Sequence, residues 1–198
     1  MTEQTTTATG VAYRLVVPDE WFVIDLQPGR RERSVAALVE RQFAGMDNAP
    51  HLKAQTRQET LAKAEAAYAA GGLEMFLSLQ QIAGIPVAAS LVTFLVPPPP
   101  PPVAAAAADV VTAGELAATL AGDDGEVTVV DLPAGPSVRI LRRAGADGDE
   151  ASATLEVFAP VPGHGSWLLL SFAAPIGPLA PALTKLFDAI SMTLRWDR

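Results

Sequence analysis

Apolar positions in this chain recur with two different periods, and the switches between them lay out its elements. Tyr13-Arg14-Leu15-Val16-Val17 and Trp21-Phe22-Val23-Ile24-Asp25-Leu26 are β-rich apolar runs that predict two strands. Pro18-Asp19-Glu20 between them predicts a turn and hence a first hairpin, because Pro presets its own φ and Asp can bond the local backbone. After Pro28-Gly29 the period lengthens. Val35, Leu38, Val39 and Phe43 recur at helical spacing, predicting a helix over Arg30–Ala44 with Arg31, Arg33, Glu40 and Arg41 outward. A second helix is expected from Pro50, an acceptable first-turn residue, to the Gly71-Gly72 stop, with Leu61, Ala64 and Tyr68 inward. It is Ala-rich and only weakly amphipathic.

From Met75 to Ala108 no residue carries charge, a stretch long enough for a membrane helix, which needs about 20 apolar residues. Gln80-Gln81, Gly84 with Pro86, and the β-branched Val92-Thr93 oppose that reading. Two strands, Glu74–Ile82 and Val87–Val96, joined through Ala83-Gly84-Ile85-Pro86, account for these residues better. Pro97 to Pro102 then forms a run of six prolines, whose polyproline II preference makes a stiff spacer between two halves of a sheet, or a ligand for an SH3- or WW-type groove. Thr112-Ala113-Gly114-Glu115 has the form of a capping box opening a short helix to Leu120. Val127–Asp131, Ser137–Arg143 and Ala153–Phe158 read as further strands, with acidic turns around Asp123-Asp124 and Asp147–Glu150. The chain closes on Trp167–Phe172 as a strand, a helix from about Pro178 to Ala189, and Ile190–Trp196 as a last strand whose Ile190, Met192, Leu194 and Trp196 share one face.

Strand pairs joined by tight turns imply an antiparallel sheet, and helices grouped between hairpins imply an α+β layered domain. The expectation is a largely antiparallel sheet of about eight or nine strands with helices packed on its faces. Residues 11–198 would form one domain with a proline-rich loop at 97–108, preceded by a loose, Thr-rich tail at 1–10. That tail has neither the basic start nor the apolar core of a secretory signal, which makes a cytoplasmic location the expectation.

Composition narrows the function. The net charge of −8, from 22 acidic and 14 basic residues, opposes a general nucleic-acid binder, since phosphate contacts need a basic face. The absence of cysteine removes disulfides, thiol chemistry and Cys-ligated zinc. Ala is abundant and eleven of the fourteen basic residues are Arg, a bias that fits a bacterial genome of high GC content. His51 and His164 are the only histidines, and the Gly163-His164-Gly165-Ser166 turn lacks the elbow that would aim a serine at a base. The acidic turns lack the ligand spacing of a calcium loop, and there is no phosphate-cradling Gly motif, so no catalytic, metal or cofactor site is expected. Arg30, Arg31 and Arg33 stand where the helix dipole prefers acidic side chains, an unfavourable placement that can mark a use with a partner. With Asp19 and Trp21 in the preceding turn they form the expected partner-contact residues.

The Pro18–Trp21 turn, the Trp167–Phe172 strand, the Leu183–Ala189 helix and the Ile190–Leu194 strand together resemble the PsbP-like α/β/α sandwich. That fold is shared by photosystem extrinsic proteins, Mog-type nuclear-import proteins and actinobacterial LpqN-type lipoproteins. The resemblance covers most of the chain, carries no signature motif, and implies a non-enzymatic binding or assembly factor. The expectation is a non-catalytic binding or assembly module of a bacterial cytoplasmic system with a protein partner. The alternative is a small-molecule or lipid carrier using an apolar pocket between sheet and helices.

Overall fold

The computed structural model describes residues 2–8, 11–46, 48–82, 85–97, 111–121, 125–144, 152–175 and 179–197. Strand Ser152–Pro160 shows how the sequence sets the sheet: Ala153, Leu155, Val157 and Ala159 are buried, while the residues between them are half-buried on the other face. In chain order the elements are Thr2–Ala8 (β1), Val11–Val17 (β2), Trp21–Asp25 (β3), Arg31–Gln42 (α1), Pro50–Ala69 (α2), Gly72–Ser78 (β4), Gln81–Ile82 (β5), Ile85–Pro86 (β6) and Ser90–Val96 (β7). Then follow Ala113–Leu120 (α3), Glu126–Leu132 (β8), Gly135–Ala144 (β9), Ser152–Pro160 (β10), Trp167–Pro175 (β11), Ala180–Ser191 (α4) and Arg195–Trp196 (β12). The fold is α+β. Seven strands make an antiparallel sheet in the order β3-β4-β7-β11-β10-β9-β8, β1-β2-β12 make a second sheet, and β5-β6 a small ribbon.

The large sheet is covered on both faces. On one, α4 and the three-stranded sheet bury Tyr13, Leu15, Phe76, Leu155, Leu170, Phe172, Leu183 and Phe187 in the main core. On the other, α1 and α2 pack Val35, Leu38 and Ala64 on Ile24 and Met75, and α3 packs Ala113 and Leu116 on Val138, Ile140 and Trp167. Phe76 and Met75, adjacent in β4, fall in different clusters, as the period-2 pleat requires.

The expected first hairpin does not form. Trp21 N–H closes the turn on Pro18 C=O at 3.0 Å, but β2 pairs with β1 and β12 while β3 pairs with β4. β3 carries apolar residues to both faces, Trp21 and Val23 to one and Phe22 and Ile24 to the other, so it belongs to a sheet covered twice. Thr2–Ala8, read from the sequence as tail, stands in register with β2 from Thr2↔Val17 to Ala8↔Val11. The closing strand is also shorter than its alternation predicts. Leu183, Phe187 and Ile190 continue the helical spacing, α4 runs through Ser191, and Met192 is an exposed C-cap, leaving two residues for β12. β4 and β7 pair as the expected hairpin, extended at its tip by β5 and β6. Prolines 98–102, the turn at 147–150 and Asp123-Asp124 lie outside the described residues.

The capping box of α3 is formed: Thr112 N–H donates to Glu115 Oε2 at 2.8 Å, and Glu115 N–H to Thr112 Oγ1 at 3.3 Å. The Thr112 backbone N–H, then its hydroxyl, hold the Glu115 carboxyl below its ordinary value. Thr112→Ala is expected to lower stability by about 1 kcal/mol in urea titrations at neutral pH. A folded carboxyl held below its unfolded value contributes above that unfolded value and loses its contribution as pH falls through the folded one. Alanine keeps the residue-112 N–H and loses only the hydroxyl bond to Glu115, so the gap between wild type and variant should narrow slightly in acid, and a constant gap would refute the Thr112 hydroxyl–Glu115 contact.

Candidate functional site

The arginines at the start of α1 are held by local partners. Arg30 occupies the N-cap position, is 60% exposed, and its Nε pairs with Asp25 Oδ2 at 3.1 Å. Arg31 is only 11% exposed: it lies 3.5 Å from Glu32 and 3.4 Å from Glu65 of α2, with its guanidinium 5.8 Å over the Tyr68 ring. It therefore ties α1 to α2. The Glu32 carboxyl sits below its ordinary value, chiefly because its own backbone N–H donates to it, with Arg31 adding to the effect. Arg33 is exposed and donates through Nε to the Gly29 carbonyl at 3.2 Å.

Asp19 is exposed in the turn, where its carbonyl accepts from Arg41 at 3.4 Å. Arg41 is in the last turn of α1, about 15 Å along the helix from Arg31 at a rise of 1.5 Å per residue, so Asp19 meets the opposite end of α1 from the Arg30–Arg33 cluster. Trp21 is 4% exposed and meets Phe187 edge-on at 6.4 Å, so its ring belongs to the core. The five expected contact residues thus divide among the core, an interhelical brace and two separate surface points.

His51 is exposed in the first turn of α2, and His164 is exposed with Nδ1 donating to the Pro162 carbonyl at 2.8 Å. Among the described residues no histidine reaches a serine hydroxyl, and no three His, Asp or Glu side chains gather as a metal site.

A groove of about 850 Å³ beside α2 has room for a ligand. Its origin is the uneven cover of the sheet. The α1–α2 pair sits over β3, β4 and β7, α3 sits over β8 and β9, and the strip between them carries only half-buried residues such as Ser171, Ala173 and Thr154. Leu38, Met75, Leu77, Leu79 and Val92 give the groove an apolar floor and wall. Small residues keep it open: Ala66 and Ala67 from α2, Ala88 and Ala89 before β7, and Ala173 and Ala174 from β11. Thr56, Glu59, Thr60 and Lys63 follow one another along the α2 rim, with Thr60 only 7% exposed. Glu59 accepts from Gln55 at 2.8 Å, whereas Lys63 makes no ion pair among the described residues. Among the described residues Lys63 is thus a cation without an ion-pair partner at the mouth of an apolar trough.

The sequence reading anticipates an apolar pocket between sheet and helices without naming any of these residues. The available signal is the weak amphipathicity of α2: a helix that buries only Thr60 and Ala64 leaves much of its inner side without a counterpart.

No protein-family model matches the chain, and no curated protein matches it. Solved structures similar to it share little sequence. LpqN of Mycobacterium tuberculosis, described as involved in cell envelope biogenesis, is similar over 100% of this chain and 91% of its own, at 11% identity and a TM-score of 0.49. The cyanobacterial PsbP of Synechocystis sp. PCC 6803 is similar over 98% of this chain and 92% of its own, at 12% identity and a TM-score of 0.49. The Ran-binding protein Mog1p of Saccharomyces cerevisiae is similar over 98% and 95%, at 11% identity and a TM-score of 0.47.

Proposed function

We propose that this protein is a non-catalytic binding module of the bacterial cytoplasm, and that its working surface is the groove beside α2. The occupant is an apolar small molecule with one acidic head, such as a fatty acid. The observation that carries this reading is the groove itself, an apolar trough of about 850 Å³ with Lys63, without an ion-pair partner among the described residues, at its rim. Ligand sites of this size are mostly apolar with a few placed polar groups that orient the ligand. An acyl chain on Leu38, Met75, Leu77 and Val92 would leave its carboxylate near Lys63 and the Thr56 and Thr60 side chains. The groove is favoured over the arginine cluster because Arg30, Arg31 and Arg33 already have partners within the chain. Among the described residues no helix is long and apolar enough to cross a membrane.

Titration with cis-parinaric acid, followed by its fluorescence, tests the reading. Saturable binding to the wild type is expected, weakened about tenfold or more by Ala66→Trp. Ala66 is exposed on α2, so the indole would fill the groove without entering the core. Failure of the wild type to bind, or equal binding by the variant, would remove the groove from consideration.

A further inference from the structure

Among the described residues β8 forms one edge of the seven-stranded sheet, and the side it turns away from β9 is aimed by a single proline. In the β8–β9 ladder Asp131 stands opposite Pro136, which has no N–H to give. That pair must be a non-hydrogen-bonded one, and the alternation of the antiparallel ladder then fixes the rest. Val130, Thr128 and Glu126 bond inward to Ser137, Arg139 and Leu141, while the N–H and C=O groups of Val127, Val129 and Asp131 point away from the sheet. Val129, midway along the strand, is 50% exposed. The sequence Glu126-Val127-Thr128-Val129-Val130-Asp131-Leu132 contains no Lys, no Pro and no bulge, the devices that usually blunt an edge.

We infer that β8 pairs with β8 of a second copy across a two-fold axis through Val129. Of the symmetric registers that join outward-facing groups, the one centred on Val129 pairs the strand over its whole length. Val129 meets Val129, Val127 meets Asp131, Thr128 meets Val130, and Glu126 meets Leu132. No like charges stand opposite, whereas a register centred on Asp131 would oppose two carboxylates. The three outward residues all enter hydrogen-bonded pairs, and the two large sheets join into one. The edge is its own complement, which is the requirement of an isologous contact. Seven residues a side is fewer than the roughly 20–30 of a stable interface, so the dimer is concentration-dependent. The charge of −8 on each copy opposes it, and salt at about 0.15 M screens that repulsion.

Sedimentation velocity of the full chain over a concentration series tests the inference. The wild type is expected to shift from one chain mass toward two as concentration rises. Val129→Lys and, separately, Val129→Pro should stay monomeric with wild-type circular dichroism. The proline removes only an N–H that β9 does not use, so it also reports on the assigned ladder. A wild type that remains monomeric at the highest concentration, or a dimer that survives both substitutions, would overturn the β8 pairing.

Discussion

Phe187→Ala is expected to cost about 3–5 kcal/mol of unfolding free energy, the range for removing a buried aromatic ring. For a chain of this length that is a fall of roughly 10 °C in melting temperature. Phe187 is the residue through which α4 grips the sheet. Its ring stacks on Phe172 of β11 at 4.8 Å and 19°, and Trp21 of β3 meets it edge-on. These contacts tie a C-terminal helix to strands from both halves of the chain, so the cavity would open where three elements converge. Arg139 adds a fork onto the next residue, Asp188, at 2.7 and 3.2 Å, which fixes α4 laterally but fills no volume. Phe187→Leu should recover more than half of the loss. Urea titration of the two variants decides the matter: a loss below about 1 kcal/mol for Phe187→Ala would mean that α4 is not anchored through this ring. Since α4 lies on the face opposite the groove, the folded fraction of either variant should bind parinaric acid as the wild type does.

The ring contacts also show which parts of the fold the sequence makes legible. Leu183, Phe187 and Ile190 mark their helix by spacing, and Leu155 and Val157 mark their strand by alternation, because one-sided burial writes its period into the residues. Met192 and Leu194 misled for the same reason. Two apolar residues at even spacing after a helix mimic a strand, yet the helical run from Leu183 had not ended. The partition of strands between sheets is less accessible. The turn at Pro18–Trp21 forms, but whether β2 and β3 then pair depends on the competing edges offered by β1, β12 and β4, which lie far away along the chain. Thr2–Ala8 has almost no apolar residues and becomes a strand by pairing with β2. The groove was legible only as a possibility, since it is the gap left between two helical groups and belongs to no single segment.

Gly72→Ala should move that gap. A Cβ on Gly72 would lie 2.7 Å from the Ala67 carbonyl oxygen and 2.9 Å from Leu26 Cδ1. The Leu26 tip can rotate away. The Ala67 oxygen is backbone in the last turns of α2, so relieving the clash displaces the helix from the sheet. Overpacking of this kind typically costs about 1–3 kcal/mol. Gly72 also opens β4 at the irregularity where its pairing with β7 steps from Gly72↔Phe94 to Glu74↔Thr93, so the strand has little freedom to retreat. Gly71, one residue earlier, supplies the control. It has φ +87 with nothing within 4 Å of an added Cβ, so Gly71→Ala strains the helix exit without pushing α2 outward. Both variants should be less stable than wild type in urea. Only Gly72→Ala should also change parinaric acid affinity, because Ala66 and Ala67 form the groove wall that it displaces. Equal effects of the two on binding would mean that the seat of α2 does not set the width of the groove.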